Sequence, residues 1–305
     1  EDMNPSILLG GSRKVFGQFK NNTSEPVSLQ GQIFTENGIV CDVNEFELQI
    51  PAFSSKGLPL EFTLSMDVEK VSDVNLMKVV AIEGDKKVVD TQFGLCAATP
   101  WKLTGPFWRT DPISNTELIM KHINEKFPYK ELMDMARREG NLTDKKRHFH
   151  LNFEPDNEME YLKETEWFTP VNVNHAHPAY EQCIVQTPQD SFRLDDFFGF
   201  QGPCTAYLSR IIVMEEEDEV CVQVGHTCPF KLYLNGEMIA NREYCDNWTA
   251  ENVHLDKIKL RKGENYLMLR ATRVNADAKF NVTFSRGMAC KTQIVGLTSK
   301  NPYKF

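Results

Sequence analysis

No apolar run in this chain approaches the ~20 residues that a membrane-spanning helix requires, so no such helix is expected. The eight cysteines, at 41, 96, 183, 204, 221, 228, 245 and 290, contain no C-x-x-C pair, which removes the common structural zinc frameworks. Buried thiols are expected instead, although Cys221 and Cys228 could approach each other across a strand end. Catalytic signatures are missing as well: there is no G-x-S-x-G, H-E-x-x-H, P-loop or dinucleotide fingerprint. Positive charge is scarce, with 34 Lys and Arg against 43 Asp and Glu and a net charge of −9. Nucleic acid and anionic membranes both call for a concentrated positive patch, so neither partner is expected. A signal-peptide pattern is also absent from the start. The opening Glu1-Asp-Met-Asn-Pro5 suggests a processed or excised piece of something longer.

What is present is an ordinary globular balance, 41% hydrophobic and 25% charged, over 305 residues. That length accommodates about two domains with cores of their own. The most legible stretch runs from Glu219 to Arg286. Val220, Val222 and Val224 alternate with Cys221 and Gln223, the period-two pattern of a strand with one buried face. Phe230–Leu234 and Glu237–Ala240 flank Asn235-Gly236. That dipeptide predicts a type I′ hairpin turn, because both central residues need positive φ. In Val253–Leu260 the Asp256-Lys257 step breaks the alternation and predicts a bulge. Asn265–Ala271 and Lys279–Arg286 supply further strands. Short strands punctuated by turns predict an antiparallel sandwich.

The series Val220-x-Val-x-Val-Gly225, Leu232-Tyr-Leu-Asn-Gly236 and Leu260-Arg-Lys-Gly-Glu-Asn265 resembles the closing half of a jelly-roll module. Leu194-Asp-Asp-Phe-Phe-Gly199 and Ala206–Ile211 resemble its opening strands. Such modules accompany catalytic domains in bacterial glycoside hydrolases and related multidomain proteins. The whole arrangement resembles the region that follows the catalytic domain in some bacterial ADP-ribosylglycohydrolase-family proteins. The resemblance is to a pattern of strands and turns and carries no active-site residue across. It implies an accessory region, carbohydrate-binding-like or domain-bracing, of a soluble bacterial protein, either cytoplasmic or exported. The implied partners are a glycan and an adjoining catalytic domain, and no cofactor is implied.

Toward the N-terminus, short strands are predicted at Arg13–Lys20, Val27–Phe34, Glu45–Ile50, Leu58–Met66, Met77–Glu83 and Lys87–Phe93. Their density fits an immunoglobulin-like sandwich without the Cys…Trp…Cys spacing of antibody domains. The predicted fold is therefore all-β, with tandem sandwiches: an immunoglobulin-like domain over 1–98 and a jelly roll over 99–305. Ala97-Ala-Thr-Pro100 is expected to link them. Pro106 would then suit an edge strand, where no ladder donor is missed. Around 114–139 a Ser114 or Asn115 cap and the stops at Pro128 and Gly140 predict a helical insertion.

Two constellations carry chemistry. His148-Phe-His150 and His175-Ala-His177 each put two imidazoles on one strand face. With Glu154, the first could serve a metal-dependent enzyme, but the glycines that frame such metal motifs and a later matching histidine are missing. Surface or hydrogen-bonded histidines are the simpler expectation, so no catalytic or metal-binding residue is assigned. The second is Tyr244-Cys-Asp-Asn-Trp248, in the loop after the Asn-Gly hairpin. Aromatic rings stack on sugar faces while Asp and Asn exchange hydrogen bonds with hydroxyls. Tyr244, Asp246, Asn247 and Trp248 are therefore the candidate ligand-binding residues. The competing expectation is that Trp248 packs down over the sheet edge, leaving a structural scaffold.

Overall fold

The computed structural model describes residues 6–107, 176–187, 191–197, 204–273, 278–286, 293–294 and 297–304. The expected helical insertion over 114–139 lies outside them, as do His148, His150 and His175. The fold is all-β, as the period-two patterns predict, and the chain divides into one unit of Glu1–Pro100 with Val295–Phe305 and another of Trp101–Ile294.

In the first unit the strands are β1 (Ser6–Ile7), β2 (Ser12–Lys20), β3 (Val27–Phe34), β4 (Ile39–Cys41), β5 (Glu45–Ile50), β6 (Ser55–Leu64), β7 (Lys70–Ser72), β8 (Val74–Glu83) and β9 (Lys86–Ala97). One sheet has the order β1-β9-β8-β3-β5 and the other β2-β6-β4. Alternate residues of both sheets enter a single core that includes Leu29, Phe46, Leu60, Phe62, Met77 and Leu95. Ring pairs stitch the two layers together: Phe19 lies 5.3 Å from Phe46 and Phe62 lies 5.7 Å from Phe93. Gly31 is required beneath Phe46, since a Cβ there would stand 2.1 Å from the ring. The sandwich is less tightly closed between β2 and β9, where a cleft of about 760 Å³ is lined by Val15, Phe19, Val89 and Phe93 among others. Lys14, Lys20, Lys86 and Lys87 stand exposed along these strands, a charge pattern that discourages edge-to-edge pairing.

The presumed linker is no exposed tether. Ala97 and Ala98 are buried, with their amides donating to Asp73 and Ile7 carbonyls at 3.1 and 2.9 Å. Small apolar side chains let this backbone run through the interior with its polar groups satisfied. The C-terminal residues return to the same unit: a later strand, Thr298–Lys300, pairs antiparallel with β7, and Asn301 Nδ2 donates to Met66 and Val68 carbonyls at 2.8 Å each.

The second unit takes up β10 (Thr99–Phe107) from Trp101 and continues with β11 (Ala176–Thr187), β12 (Phe192–Arg193), β13 (Cys204–Met214), β14 (Asp218–His226), β15 (Phe230–Leu234), β16 (Glu237–Arg242), β17 (Val253–Leu260), β18 (Gly263–Arg273), β19 (Lys279–Arg286) and β20 (Gln293–Ile294); Thr298–Lys300, of the first unit, is β21. One sheet runs β11-β10-β13-β18-β15-β16 and the other β12-β19-β14-β17, with β20 beside β19. The hairpin forms as predicted: Asn235 has φ 54° and Gly236 φ 81°, and Leu234 faces Glu237. Its Asn235 side chain also accepts from the Tyr266 amide at 2.9 Å, tying the turn to β18. Val220, Val222 and Val224 are buried as expected. Their strand does not join the hairpin, however, but pairs with β17 and β19 in the other sheet. The bulge also appears: the β14–β17 register shifts between Val220 and Val222, and Lys257 has φ 57°.

Pro106 corrects an expectation. β10 is an interior strand between β11 and β13. The proline sits where the β10–β13 register shifts, after Thr104 and before Phe107. An irregularity removes the need for a ladder donor as effectively as an edge does.

The burial pattern makes a direct prediction. Phe62→Ala should destabilise the protein by about 3–5 kcal/mol through lost burial and a residual cavity. Val40→Ala, on the exposed face of β4, should change stability by no more than about 0.5 kcal/mol. Denaturant melts of the two variants provide the check.

Candidate functional site

The loop from Glu243 to Asn252 leaves β16 and reaches β17, and it lies against the end of β14. Two features of β14 hold it there. Gly225 has no side chain, and a Cβ would meet the Thr249 carbonyl oxygen at 2.6 Å and the Trp248 ring at 2.9 Å. The next residue, His226, exchanges backbone hydrogen bonds with one side chain: its amide donates to Asn252 Oδ1 and its carbonyl accepts from Asn252 Nδ2, both at 2.9 Å. Nδ2 also reaches the Asn247 carbonyl at 3.2 Å and Asp246 Oδ2 at 3.4 Å. From the other side the Asp246 amide donates to the Thr227 carbonyl at 3.1 Å. A carboxamide offers two acceptor lone pairs and two donor hydrogens, and here it takes the place of β17, whose pairing with β14 ends at Val224 while β19 stays paired through His226.

Each candidate residue has a definite place on this frame. Tyr244 is 53% exposed, and its ring stands edge-on to buried His226, with centroids 5.8 Å apart. Asp246 faces inward: Oδ1 accepts from the Asn247 amide at 2.7 Å while Oδ2 lies toward Asn252. Asn247 is exposed. Trp248 is half-buried, with its far ring edge close above Gly225 and Lys279 Nζ 4.1 Å from the ring centroid. A cation at that position engages the π face directly. The loop therefore presents Tyr244 and Asn247 outward, while Asp246 orders the loop and Trp248 seats it.

His226 is the electrostatic centre of the arrangement. It is fully buried, and its Nδ1 lies 3.1 Å from the Cys228 carbonyl, where Nδ1–H donates. Phe230 approaches the imidazole edge-on, with centroids 4.9 Å apart. Burial pushes the imidazole pKa below its ordinary value, against a smaller upward pull from the Cys228 carbonyl. The ring is therefore neutral near pH 7.

Residues outside the predicted set, namely Gly225, His226, Asn252 and Lys279, do most of the positioning. The pair Gly225-His226 at a strand end is a visible signal. Asn252 and Lys279 are not marked by local sequence, since their roles arise from cross-strand geometry. Glu215, Glu216 and Glu217 are exposed between β13 and β14, and Glu219 is exposed on β14. Trp108 and Trp167 lie outside the described residues.

No family model matches the chain. No curated protein sequence matches it either. Among solved structures, an anti-sigma factor domain-containing protein overlaps 93% of this chain and 82% of its own at 10% identity, with a TM-score of 0.31. A PA14 sugar-binding domain from an RTX adhesin overlaps 32% of this chain and 55% of its own at 12% identity and TM-score 0.27. A β-glucosidase from Kluyveromyces marxianus overlaps 38% of this chain and 15% of its own at 15% identity and TM-score 0.31. Scores this low establish no ligand for this chain, and these structures lend no support to the resemblance to ADP-ribosylglycohydrolase-family proteins.

His226 gives the site a pH signature. Its pKa is depressed in the folded state, so the unfolded chain binds the proton more readily. The stability it contributes is present above the unfolded pKa of about 6.5 and is lost as pH falls through that value toward the lowered folded pKa. Melting temperature measured between about pH 7.5 and 5 should fall on the acid side, and His226→Phe should flatten that segment of the curve.

Proposed function

We propose that this chain is a non-catalytic accessory region, carbohydrate-binding-like, that contacts a glycan through the loop holding Tyr244, Asp246, Asn247 and Trp248. The observation that carries the proposal is the exposed Tyr244 ring on a loop locked to β14 by Asn252. Sugar recognition needs an apolar ring beside directional polar groups, and the Asn247 amide and Lys279 ammonium supply these near Tyr244 and Trp248. A surface already held in place loses little ordering entropy when it binds, which favours even a small contact. One exposed ring supports weak binding only. The larger protein, bacterial and with an adjoining catalytic domain, belongs to the same proposal. The jelly-roll and immunoglobulin-like identities of the two units belong to it as well.

Trp248 and Tyr244 separate ligand contact from loop support. In a glycan-array screen followed by calorimetric titration, Tyr244→Ala should weaken binding at least about tenfold, or about 1.4 kcal/mol, with an unchanged melting temperature. Trp248→Ala should weaken binding and lower the melting temperature together, because it unseats the loop from Gly225. Absence of binding to any glycan would replace this reading with a purely structural, domain-bracing role.

A further inference from the structure

On the face of β14 opposite its buried valines, the register brings together a second group of side chains. Cys221 lies opposite Ser285 on β19, and the bulged segment of β17 brings Asp256 beside it. The Cys221 thiol donates to Asp256 Oδ1 at 3.3 Å, and His254 Nε2 donates to the same oxygen at 3.0 Å. The thiol sulfur, an imidazole nitrogen and a carboxylate oxygen all lie within 4.8 Å of one another. From bond lengths of about 2.0–2.3 Å, ligands in a tetrahedral zinc site stand about 3.3–3.8 Å apart. The ligand atoms are thus spaced close to what an ion requires while their own protons hold them together.

We propose that Cys221, His254 and Asp256 form a binding site for a borderline-soft divalent transition metal of the zinc type. The donor set suits that class, since thiolate and imidazole select zinc-like ions over calcium or magnesium. Cys221 is buried and Asp256 is 53% exposed along its side chain, so the cluster is reached from the carboxylate side. Three protein ligands leave the fourth position for water or an external group.

The bulge is what builds the site. His254 and Asp256, two residues apart on β17, share a face, and Lys257 with φ 57° interrupts the ladder opposite Cys221. In regular pairing a cross-strand residue would occupy that place. An independent sign of an incomplete polar environment is Ser285, 1% exposed, whose Oγ has no hydrogen-bond partner among the described residues. It is the cross-strand neighbour of Cys221, and directly opposed side chains stand about 4.5–5.5 Å apart on one face. A water on the ion could satisfy it.

The protons balance simply. The incoming ion takes the place of the thiol hydrogen, which leaves as one proton. The imidazole hydrogen moves from Nε2 to Nδ1 as Nε2 takes the ion, and His254 Nδ1 has no hydrogen-bond partner among the described residues to lose. Affinity should therefore rise with pH by about tenfold per unit below the thiol pKa.

The test uses the reduced, chelator-treated full chain without an affinity tag. Titration with Co²⁺ should produce a thiolate-to-cobalt charge-transfer band that saturates at one equivalent, and Zn²⁺ should displace it. Cys221→Ser should abolish the band, while Asp256→Asn and His254→Gln should each weaken binding at least tenfold. Cys96→Ser should leave it unchanged. Asp256→Asn keeps the test decisive if Cys221→Ser fails to fold, because the aspartate side chain is largely outside the core. Absence of the band overturns the proposal. A band that survives Cys221→Ser, or binding of undiminished affinity in Asp256→Asn, also overturns it, since the ion would then reside elsewhere.

Discussion

Strand β14 is buried on both faces, and that constraint organises the second unit. Its inward residues Val220, Val222 and Val224 require one register against β17 and β19. A slip by one residue would exchange the valines with Cys221 and Gln223 and put polar groups into the apolar interior. The same register leaves no freedom to the outward set. Cys221 must meet Ser285 and the β17 bulge, Gln223 must meet Thr283 and His254, and Gly225 must meet Asn281. Polar side chains therefore line up on a face whose position is dictated by hydrophobic burial behind it. Gln223 illustrates the result: it is 6% exposed, and it donates to Glu251 Oε2 at 3.3 Å and accepts from Thr283 at 3.4 Å.

At the end of β14 the constraint passes from ladder to side chain. His226 is too deep for water to satisfy its backbone, and a buried unmade hydrogen bond costs about 1–3 kcal/mol. Asn252 meets that need and in doing so fixes the chain on either side of Trp248. The loop is ordered because a strand end had to be capped, and Tyr244 is carried outward as a consequence. Order and exposure at the same place are what the proposed glycan contact rests on.

Much of this was legible along the sequence. Val27–Phe34 and Glu45–Ile50 are strands with the expected limits, the Asn235-Gly236 turn has both positive φ values, and the Asp256-Lys257 step is a bulge. Alternation and turn chemistry are local, so they survive without knowledge of partners. Pairing is not local. That β14 lies apart from the hairpin following it, that Pro106 sits at an interior irregularity, and that Ala97–Pro100 is buried all depend on distant strands. The candidate loop shows the same limit: its composition marked it, but composition does not reveal that Trp248 faces Gly225 and Lys279 while Tyr244 faces outward. Cys221 lies more than 30 positions before His254 and Asp256 and becomes their neighbour only through register.

The central claim is that β14, through Asn252, holds the loop in place. Amide hydrogen exchange on the intact chain and on Asn252→Ala tests it most directly. The account predicts that the variant loses protection at His226 and Asp246 while the β14–β19 amides around Val222 and Val224 remain protected. Unchanged protection at His226 and Asp246 would contradict it, because the loop would then be held by something other than this carboxamide.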